Sequence, residues 1–331
     1  MRYLYTLTSS PQDYYYEQFL LSATSLIQIM PNAEIVLLCD SKTKETLSGK
    51  RGEYEKIVSN TVAENTPKGY SQVEVSRWIK TSMRRLIQGD FLFIDCDTII
   101  TGDLSSITEL NTYMSACLDC HSFLDKHFNR ETFISSDKKL GFNSYLTNRH
   151  YNSGVIYCKD TPEIHKIFNR WHELWLFSRS KNILRDQPSF NMAICENTTN
   201  FSELDGIWNC QIPFNSVKFL SESKIIHYFA STKSYTSPFI PAASEIFSII
   251  KNKGVITDDI KKLLDKPRSA FISNSRIISG EDMLHLINSD VFKFIYILDK
   301  KSPSLFKFIN NICTLLKKLL KKRLVKYGAI Q

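Results

Sequence analysis

Two carboxylates one residue apart, Asp95 and Asp97, directly follow the apolar run Phe91–Ile94. The run predicts a buried strand, and α/β proteins bind ligands at the carboxyl ends of such strands. Carboxylate oxygens at this edge suit Mg²⁺ or Mn²⁺, which leave coordination positions open for phosphate oxygens. The alternative is a turn with two solvated acids, but the preceding strand favours a metal site.

The elements that must position these acids alternate along the first half of the chain. Residues 3–7 and 35–39 are β-prone runs, and residues 16–30 between them place apolar side chains at helical spacing. Ser71 and Glu74 fit a capping box that opens a helix running to about residue 87. This β-α-β order predicts an α/β fold with a central, mostly parallel sheet. Further candidates are strands at 114–118, 155–158 and 224–229, and helices at 162–178 and 187–195.

Other short segments occur in a fixed order around the acid pair. They are Arg77-Trp-Ile-Lys80, Asp103-Leu104, Tyr151-Asn-Ser-Gly-Val155, Asp186-Gln187 and His227-Tyr-Phe-Ala230-Ser-Thr-Lys233-Ser-Tyr235. Together they resemble family 8 of the GT-A-fold glycosyltransferases, which includes glycogenin and bacterial lipopolysaccharide galactosyltransferases, over roughly residues 1–236. The last segment departs from the family pattern H-x-x-G-x-x-K-P-W at Ala230 and at Ser234-Tyr235.

The resemblance implies a divergent family member with a GT-A-like, Rossmann-like domain. Its expected reaction moves a hexose from a nucleotide sugar, UDP-glucose or UDP-galactose, to a hydroxyl of a glycan or lipid-linked acceptor, with retention. It would act in polysaccharide or lipopolysaccharide biosynthesis. Asp95, Asp97 and His227 would hold Mn²⁺ or Mg²⁺, and Asp186 and Gln187 would act beside the donor sugar.

The donor site draws on more of the chain. We assign to it Thr6, Thr8, Tyr14, Asp40, Arg77, Lys80, Cys96, Asn152, Ser153 and Lys233. Tyr14, like Tyr15, would stack on the base, and Thr6 and Thr8 occupy the strand end where the family often has an acid near the base. The structural alternatives are a core position for His227 and Tyr14, a surface position for Lys233, Arg77 and Lys80, and a turn or helix cap for Asp40, Asn152, Ser153, Asp186 and Gln187.

Two other protein classes fit part of the pattern. Haloacid-dehalogenase phosphatases also carry Asp-x-Asp after an apolar strand, and Asp258-Asp259 would then be their later acidic motif. Those enzymes usually carry the motif near the start of the chain, whereas here it lies about ninety residues in. The non-enzyme alternative is a membrane-docked binding protein without activity.

The basic charge is concentrated at the end of the chain. Residues 304–331 contain seven Lys and Arg and no acid, which leaves +1 of the net +8 for residues 1–303. We therefore expect no nucleic-acid partner for the main body. We predict a glycosyltransferase domain at 1–243 and a helical extension at 244–331. Its basic amphipathic helix, at about 304–327, would lie on an anionic membrane surface or, alternatively, pack on its own domain.

The cysteines and the start of the chain indicate a compartment. The eight cysteines are scattered, and the single C-x-x-C pair, Cys117 and Cys120, lacks the second pair of a zinc site. The first residues do not resemble a secretory signal, and no apolar run reaches the roughly 20 residues that span a bilayer. We expect reduced thiols and a cytoplasmic enzyme, peripheral on the inner face of the membrane.

Overall fold

The computed structural model of the 331-residue chain describes residues 1–212, 216–229, 240–270 and 289–326. The chain divides into two compact units, Met1–Ile277 and Ile278–Gln331. The first unit contains both β-sheets. In the second unit, the described residues are almost entirely helical.

The described residues of the first unit form ten strands in two sheets. The strands are β1 (Arg2–Leu7), β2 (Glu34–Asp40), β3 (Asn60–Glu64), β4 (Phe91–Ile94), β5 (Thr98–Ile100), β6 (Met114–Leu118), β7 (Tyr151–Cys158), β8 (Phe201–Leu204), β9 (Cys210–Gln211) and β10 (Ile225–His227). The central sheet has the order β3-β2-β1-β4-β7-β6-β8, and the small sheet has the order β5-β10-β9. In the central sheet only β7 runs antiparallel to its neighbours. The predicted mixed, mostly parallel α/β sheet is therefore confirmed.

The described α-helices follow the predicted alternation with the strands. They are α1 (Tyr15–Ile29), α2 (Ser41–Glu45), α3 (Gln72–Leu86), α4 (Arg130–Leu140), α5 (Pro162–Ser180), α6 (Gln187–Cys195), α7 (Val217–Leu220), α8 (Ile240–Lys253), α9 (Asp258–Leu264), α10 (Pro267–Ala270), α11 (Asp290–Lys301) and α12 (Pro303–Lys326). The capping box predicted for α3 is present, because the Glu74 N–H donates to Ser71 Oγ and the Glu74 carboxylate accepts from the Ser71 N–H.

The central sheet is covered on both faces, which explains its uninterrupted apolar strands. Side chains alternate along each strand. Tyr5 of β1 packs in the core on the α1 side with Phe19. Leu4, its neighbour, packs in the core on the opposite side with Ile79 of α3 and Trp171 of α5.

This arrangement creates a crevice at the carboxyl ends of β1 and β4. The two strands are parallel neighbours, but the helix after β1 and the helix before β4 cover opposite faces of the sheet. Such a reversal of strand order separates the loops at the carboxyl edge and leaves room for a ligand. Thr6 and Thr8 at the end of β1 and Asp95 after β4 therefore lie on either side of one opening.

The first compact unit continues past residue 243. Phe247 and Ile250 of α8 and Ile260 and Leu264 of α9 are buried in the core on the α1 side. These helices contribute to the core of the first compact unit, which ends at Ile277. The functional boundary at 243 stays a prediction.

The second unit contains the helix expected near the end of the chain. Helix α12 spans Pro303–Lys326 and follows α11 directly. Several apolar side chains between residues 305 and 316 are open to solvent, with Phe308 63% and Leu315 62% exposed. Within the described part of the chain, none of the helices combines the length and hydrophobicity needed to cross a bilayer.

Candidate functional site

A single cavity at the carboxyl edge of the sheet brings most of the predicted site residues together. Its volume is about 400 Å³. The predicted residues that line it are Thr6, Thr8, Arg77, Lys80, Asp95, Cys96, Asp97, Asn152, Ser153, Asp186, Gln187 and His227. They come from five strands or strand ends and two helices, so the fold collects them from most of the first 227 residues.

The two acids meet His227 because the small sheet pairs distant segments. Asp95 follows β4, and its N–H donates to Gly154 O at 2.7 Å. Asp97 precedes β5, which pairs antiparallel with β10 so that Thr98 lies opposite His227. His227 Nε2 is consequently 3.2 Å from Asp97 Oδ1. Asp95, Asp97 and His227 each offer a ligand atom within 4.8 Å of the others.

The charges at this trio indicate a site for a cation. Burial raises the pKa of Asp95, and the neighbouring Asp97 raises it further despite Lys80. Burial alone would raise the pKa of Asp97, but the His227 imidazole brings it below its ordinary value. Burial would lower the pKa of His227, but Asp97 raises it. Two carboxylates and an imidazole fit Mn²⁺ or Mg²⁺, whose charge would relieve the crowding of the acids.

The His227 ring is packed closely by two other residues. Phe229 stacks on the imidazole with ring centroids 4.1 Å apart. Gly154 also lies against the ring, because an added Cβ there would be 2.4 Å from His227 Cε1. Only glycine leaves room for the ring at that position in β7. The glycine of the Asn-Ser-Gly segment therefore makes space for a candidate metal ligand.

A second cluster of charges lies beside the trio. The buried Lys80 ammonium is 3.1 Å from Asp95 Oδ1 and 3.9 Å from Asp186 Oδ2. Arg77 Nε is 2.9 Å from Asp186 Oδ1, and Ser153 Oγ donates to Asp186 Oδ2 at 2.9 Å. Burial would raise the pKa of Asp186, but Arg77 and Lys80 lower it. Lys80 is thus not on a solvated helix face, because only 4% of it is exposed.

The alternatives of a turn or a helix cap do not describe Asp186, Asn152 or Ser153. Asp186 precedes α6 but makes no capping hydrogen bond with its side chain. Asn152 and Ser153 lie within β7, which begins four residues before the predicted strand at 155–158. All three side chains are buried, and their polar atoms bond to other side chains of the cavity wall.

Gln187 is the first residue of α6 and lines the cavity. Its Nε2 is buried and has no hydrogen-bond partner among the described residues. An amide donor left unpaired costs on the order of 1–3 kcal/mol. A sugar hydroxyl in the cavity would satisfy it.

Two of the predicted donor-site residues that the structure describes, Tyr14 and Asp40, are not among those that line the cavity. Tyr14 packs on α8, where its hydroxyl is 3.2 Å from Ser248 Oγ and its ring centroid is 6.3 Å from that of Phe247. Asp40 caps α2 by accepting from the Thr43 N–H, which matches the alternative of a turn. Lys233 lies outside the described residues. Tyr15, which follows Tyr14, does line the cavity.

Two residues that the sequence did not indicate take part in the site. Asn209, at the end of the 3₁₀ helix Gly206–Asn209, accepts from His227 Nδ1 at 3.0 Å. Asp119 lines the cavity and accepts from Asn152 Nδ2 at 2.8 Å. Only the short segment Asp119-Cys-His draws attention to Asp119, and no local pattern marks Asn209.

Asp119, Cys120 and His127 form a second group with metal-ligand atoms close together. Both nitrogens of His127 are already engaged. Its Nδ1 accepts from the Asn129 N–H at 3.0 Å, and its Nε2 donates to Asp119 at 3.1 Å. The group is therefore explained as a hydrogen-bonded cluster. Cys117 donates to Asp205 O at 3.1 Å, so it does not pair with Cys120.

The phosphatase alternative lacks its second motif in the cavity. Asp258 and Asp259 begin α9, and their side chains are 86% and 94% exposed. Neither lines the cavity that contains Asp95 and Asp97. The pattern that suggested this class is therefore confined to the acid pair and its strand.

Comparison with known proteins identifies the sequence family and similar folds. The model of Glycosyl transferase family 8 matches residues 12–237. The structure of the galactosyltransferase LgtC, solved with donor and acceptor sugar analogues, is 12% identical with a TM-score of 0.50, over 79% of this chain and 99% of that one. The bifunctional glycosyltransferase WbbM is 16% identical with a TM-score of 0.52, over 79% of this chain and 51% of that one. No curated protein sequence matches the chain.

Proposed function

Because the chain belongs to glycosyltransferase family 8, we propose that it moves a hexose from a UDP-sugar to a hydroxyl in a reaction that needs a divalent cation. The GT-A-like fold and the enzyme class expected from the sequence are confirmed. The donor, the cation, the acceptor and the residue roles are our proposal.

One observation carries the proposal: two acids and a histidine converge in the cavity that also contains Lys80 and Arg77. A nucleoside diphosphate needs both a cation-binding group and fixed positive charge, and the cavity offers the two side by side. Asp95, Asp97 and His227 would hold Mn²⁺ or Mg²⁺. When bound, the cation supplies the charge that stabilises the diphosphate as it leaves.

The chain's own residues would bind and orient the donor. Arg77 and Lys80 would contact a phosphate or the ribose, because Arg77 is partly exposed to the cavity and Lys80 bridges Asp95 and Asp186. The unpaired Gln187 amide would donate to the sugar near its anomeric carbon. Asn152 and Ser153 would shape the sugar pocket. Lys233 would meet the diphosphate as a point charge.

We propose that the reaction retains the anomeric configuration, as the family resemblance implies. Asp186 is held by Arg77, Lys80 and Ser153, and Asp119 is held by Asn152 and His127. A carboxylate with its oxygens engaged is a poor nucleophile, so a covalent sugar intermediate on these acids is disfavoured. The acceptor hydroxyl would then attack on the same face that the phosphate leaves, with the phosphate oxygen taking the hydroxyl proton.

The acceptor is proposed from the end of the chain. Helix α12 exposes Leu305, Phe308, Ile312 and Leu315, and residues 304–331 carry only positive charge. Apolar side chains with Lys and Arg nearby suit an anionic membrane surface. A peripheral enzyme on the cytoplasmic face would meet lipid-linked precursors or nascent polysaccharide, and these are the acceptors we propose.

Calorimetric titration of UDP into the full chain tests the proposal. We expect UDP to bind with Mn²⁺ and to lose affinity in EDTA, whereas GDP, CDP and dTDP bind more weakly. One UDP-hexose should then be slowly hydrolysed in the absence of acceptor. If all four nucleotides fail to bind with Mn²⁺ present, the donor assignment is wrong.

A further inference from the structure

We infer that Asn209 is a positioning residue that presents Nε2 of His227 to the metal site. The orientation of Asn209 is itself set by a buried chain of hydrogen bonds through Asn152 and Asp119 to His127. The inference rests on the proposed metal-dependent function, and it adds a residue that neither the sequence motifs nor the cavity lining identifies.

The direction of donation along this series of hydrogen bonds is set at His127 by a backbone N–H group. The Asn129 N–H donates to His127 Nδ1 at 3.0 Å, and a backbone N–H can only donate. The proton of the neutral ring must therefore be on Nε2, which lies 3.1 Å from Asp119 Oδ2. Burial would raise the pKa of Asp119, but the bond from His127 brings it to about 2. Asp119 is thus an ionised carboxylate, which only accepts.

The orientation of the Asn152 side-chain amide is also set by a backbone N–H group. The Gly154 N–H donates at 2.9 Å to the Asn152 oxygen, so that atom cannot be the amide nitrogen. The Asn152 nitrogen points the other way and donates to Asp119 Oδ1 at 2.8 Å. Exchanging the two atoms would place donor against donor at Gly154 and acceptor against acceptor at Asp119.

The hydrogen bond with Asn152 sets the orientation of the Asn209 side-chain amide. The Asn152 oxygen also accepts from Asn209 Nδ2 at 3.0 Å. The Asn209 oxygen therefore faces His227 Nδ1, 3.0 Å away, and Nδ1 must carry a proton. Nε2 is then the atom of His227 that faces Asp97 and remains available to a metal ion.

The hydrogen-bonded side chains between His227 and Asp119 are buried, which makes each of these bonds costly to lose. Asn209 is 0% exposed, His227 2%, Asn152 5% and Asp119 6%. Water does not replace a lost partner at such positions, and unpaired polar groups there are costly. Partners of a ligating histidine fix its tautomer and ring orientation, and their loss typically costs about 10–100-fold in metal affinity.

The first experiment measures Mn²⁺ affinity by electron paramagnetic resonance, on the full chain without nucleotide. We expect Asn209→Ala to weaken Mn²⁺ binding about 10–100-fold. Asn209→Asp keeps an oxygen that accepts from Nδ1 but loses the amide that donates to Asn152, so we expect a loss between those of the wild type and Asn209→Ala. A folded Asn209→Ala protein with wild-type affinity overturns the inference.

The second experiment is made on the wild-type protein without metal, and a variant serves only to assign the signals. Nitrogen-15 NMR of the histidine rings in metal-free wild-type protein, assigned with His227→Gln, reports which ring nitrogen is protonated. We expect Nδ1 of His227 to carry a proton whether the ring is neutral or charged. An unprotonated Nδ1 overturns the inference. Wild-type protein that binds no Mn²⁺ but keeps the Nδ1 proton would instead contradict the proposed metal-dependent function.

Discussion

The Asp97 carboxylate lies 3.2 Å from Nε2 of His227, although 130 residues separate them along the chain. The antiparallel pairing of β5 with β10 produces this contact, because it places Thr98 opposite His227. The pairing of these two three-residue strands thus brings together Asp97, which precedes β5, and His227, the last residue of β10.

Asp97→Asn should remove metal-dependent UDP binding while leaving the fold intact. The change removes a ligand charge, and we expect a loss of more than about 100-fold, since partners of metal ligands alone account for 10–100-fold. Calorimetric titration of UDP with Mn²⁺ measures the loss. Asp103→Asn is the control, because this acid of the same segment accepts from the Ser105 N–H and does not line the cavity. Equal losses in the two variants would refute the assignment.

Gly154→Ala should displace His227 and weaken Mn²⁺ binding. The new Cβ would lie 2.4 Å from His227 Cε1, closer than any packed contact. We expect a loss of stability of about 1–3 kcal/mol, the usual cost of overpacking, together with lower Mn²⁺ affinity. Thermal unfolding and metal titration measure both. The matched control is Gly102→Ala, where the nearest atom would be Lys224 Cγ at 3.5 Å. A Gly154→Ala protein that binds Mn²⁺ normally would contradict the close packing of His227 against Gly154.

Gln187→Ala should lower transfer without lowering stability or UDP affinity. Its Nε2 has no partner in the part of the chain that the structure describes, so its removal breaks no hydrogen bond seen there. We expect kcat to fall by about 10²–10³-fold, the scale for a lost donor in an active site. Asn191→Ala, in the same helix, should lower stability without lowering the rate of transfer. The Asn191 side chain accepts from the Tyr151 N–H and donates to the Tyr151 carbonyl. A Gln187→Ala protein with a lowered melting temperature and full activity would make Gln187 structural.

Asp137→Asn should change how stability depends on pH. Asp137 is 1% exposed, and burial raises its pKa from 3.8 to about 6 even though Ser144 donates to it. The folded state therefore holds the proton more tightly than the unfolded state. Its contribution is fully present below pH 3.8 and is lost as the pH rises through about 6. At pH 8 the ionised wild-type residue costs on the order of 2–3 kcal/mol.

We therefore expect Asp137→Asn to melt at a higher temperature than the wild type at pH 8, and at a similar temperature at pH 4. Thermal unfolding across this range makes the comparison. Asp258→Asn, at a side chain that is 86% exposed, should leave the profile unchanged. Parallel profiles for wild type and Asp137→Asn would show that Asp137 has an ordinary pKa.

Charge reversal near the end of the chain should weaken binding to anionic vesicles. Lysines near such a surface contribute about 1 kcal/mol each, so Lys321→Glu with Lys322→Glu should weaken binding by at least about tenfold. Sedimentation with vesicles of anionic and of neutral lipid, at low and high salt, measures the effect. The same two substitutions at Lys261 and Lys262, on α9, are the control. If both pairs behave alike, α12 has no special part in docking.

Local patterns in the sequence were sufficient for the framework. Phe91–Ile94 is a strand because four apolar residues in a row can be buried on both faces of a sheet. Ser71 and Glu74 begin α3 because their side chains and N–H groups cap each other within four residues. Asp95 and Asp97 lie at the sheet edge because they follow that strand directly. Each of these features depends only on neighbours in the chain, and the motif order was enough to indicate the family.

Only the tertiary structure decided which polar residues act together. Asp186 has the sequence of a helix cap, yet its carboxylate bonds to Arg77 and Ser153. Tyr14 and Asp40 follow strands as the cavity residues do. Tyr14 nevertheless packs on α8, and Asp40 caps α2. Asn209 is recognised as part of the site only from its hydrogen bond with His227. These partners are brought together by strand pairing and helix packing across long stretches of chain, which local spacing does not encode.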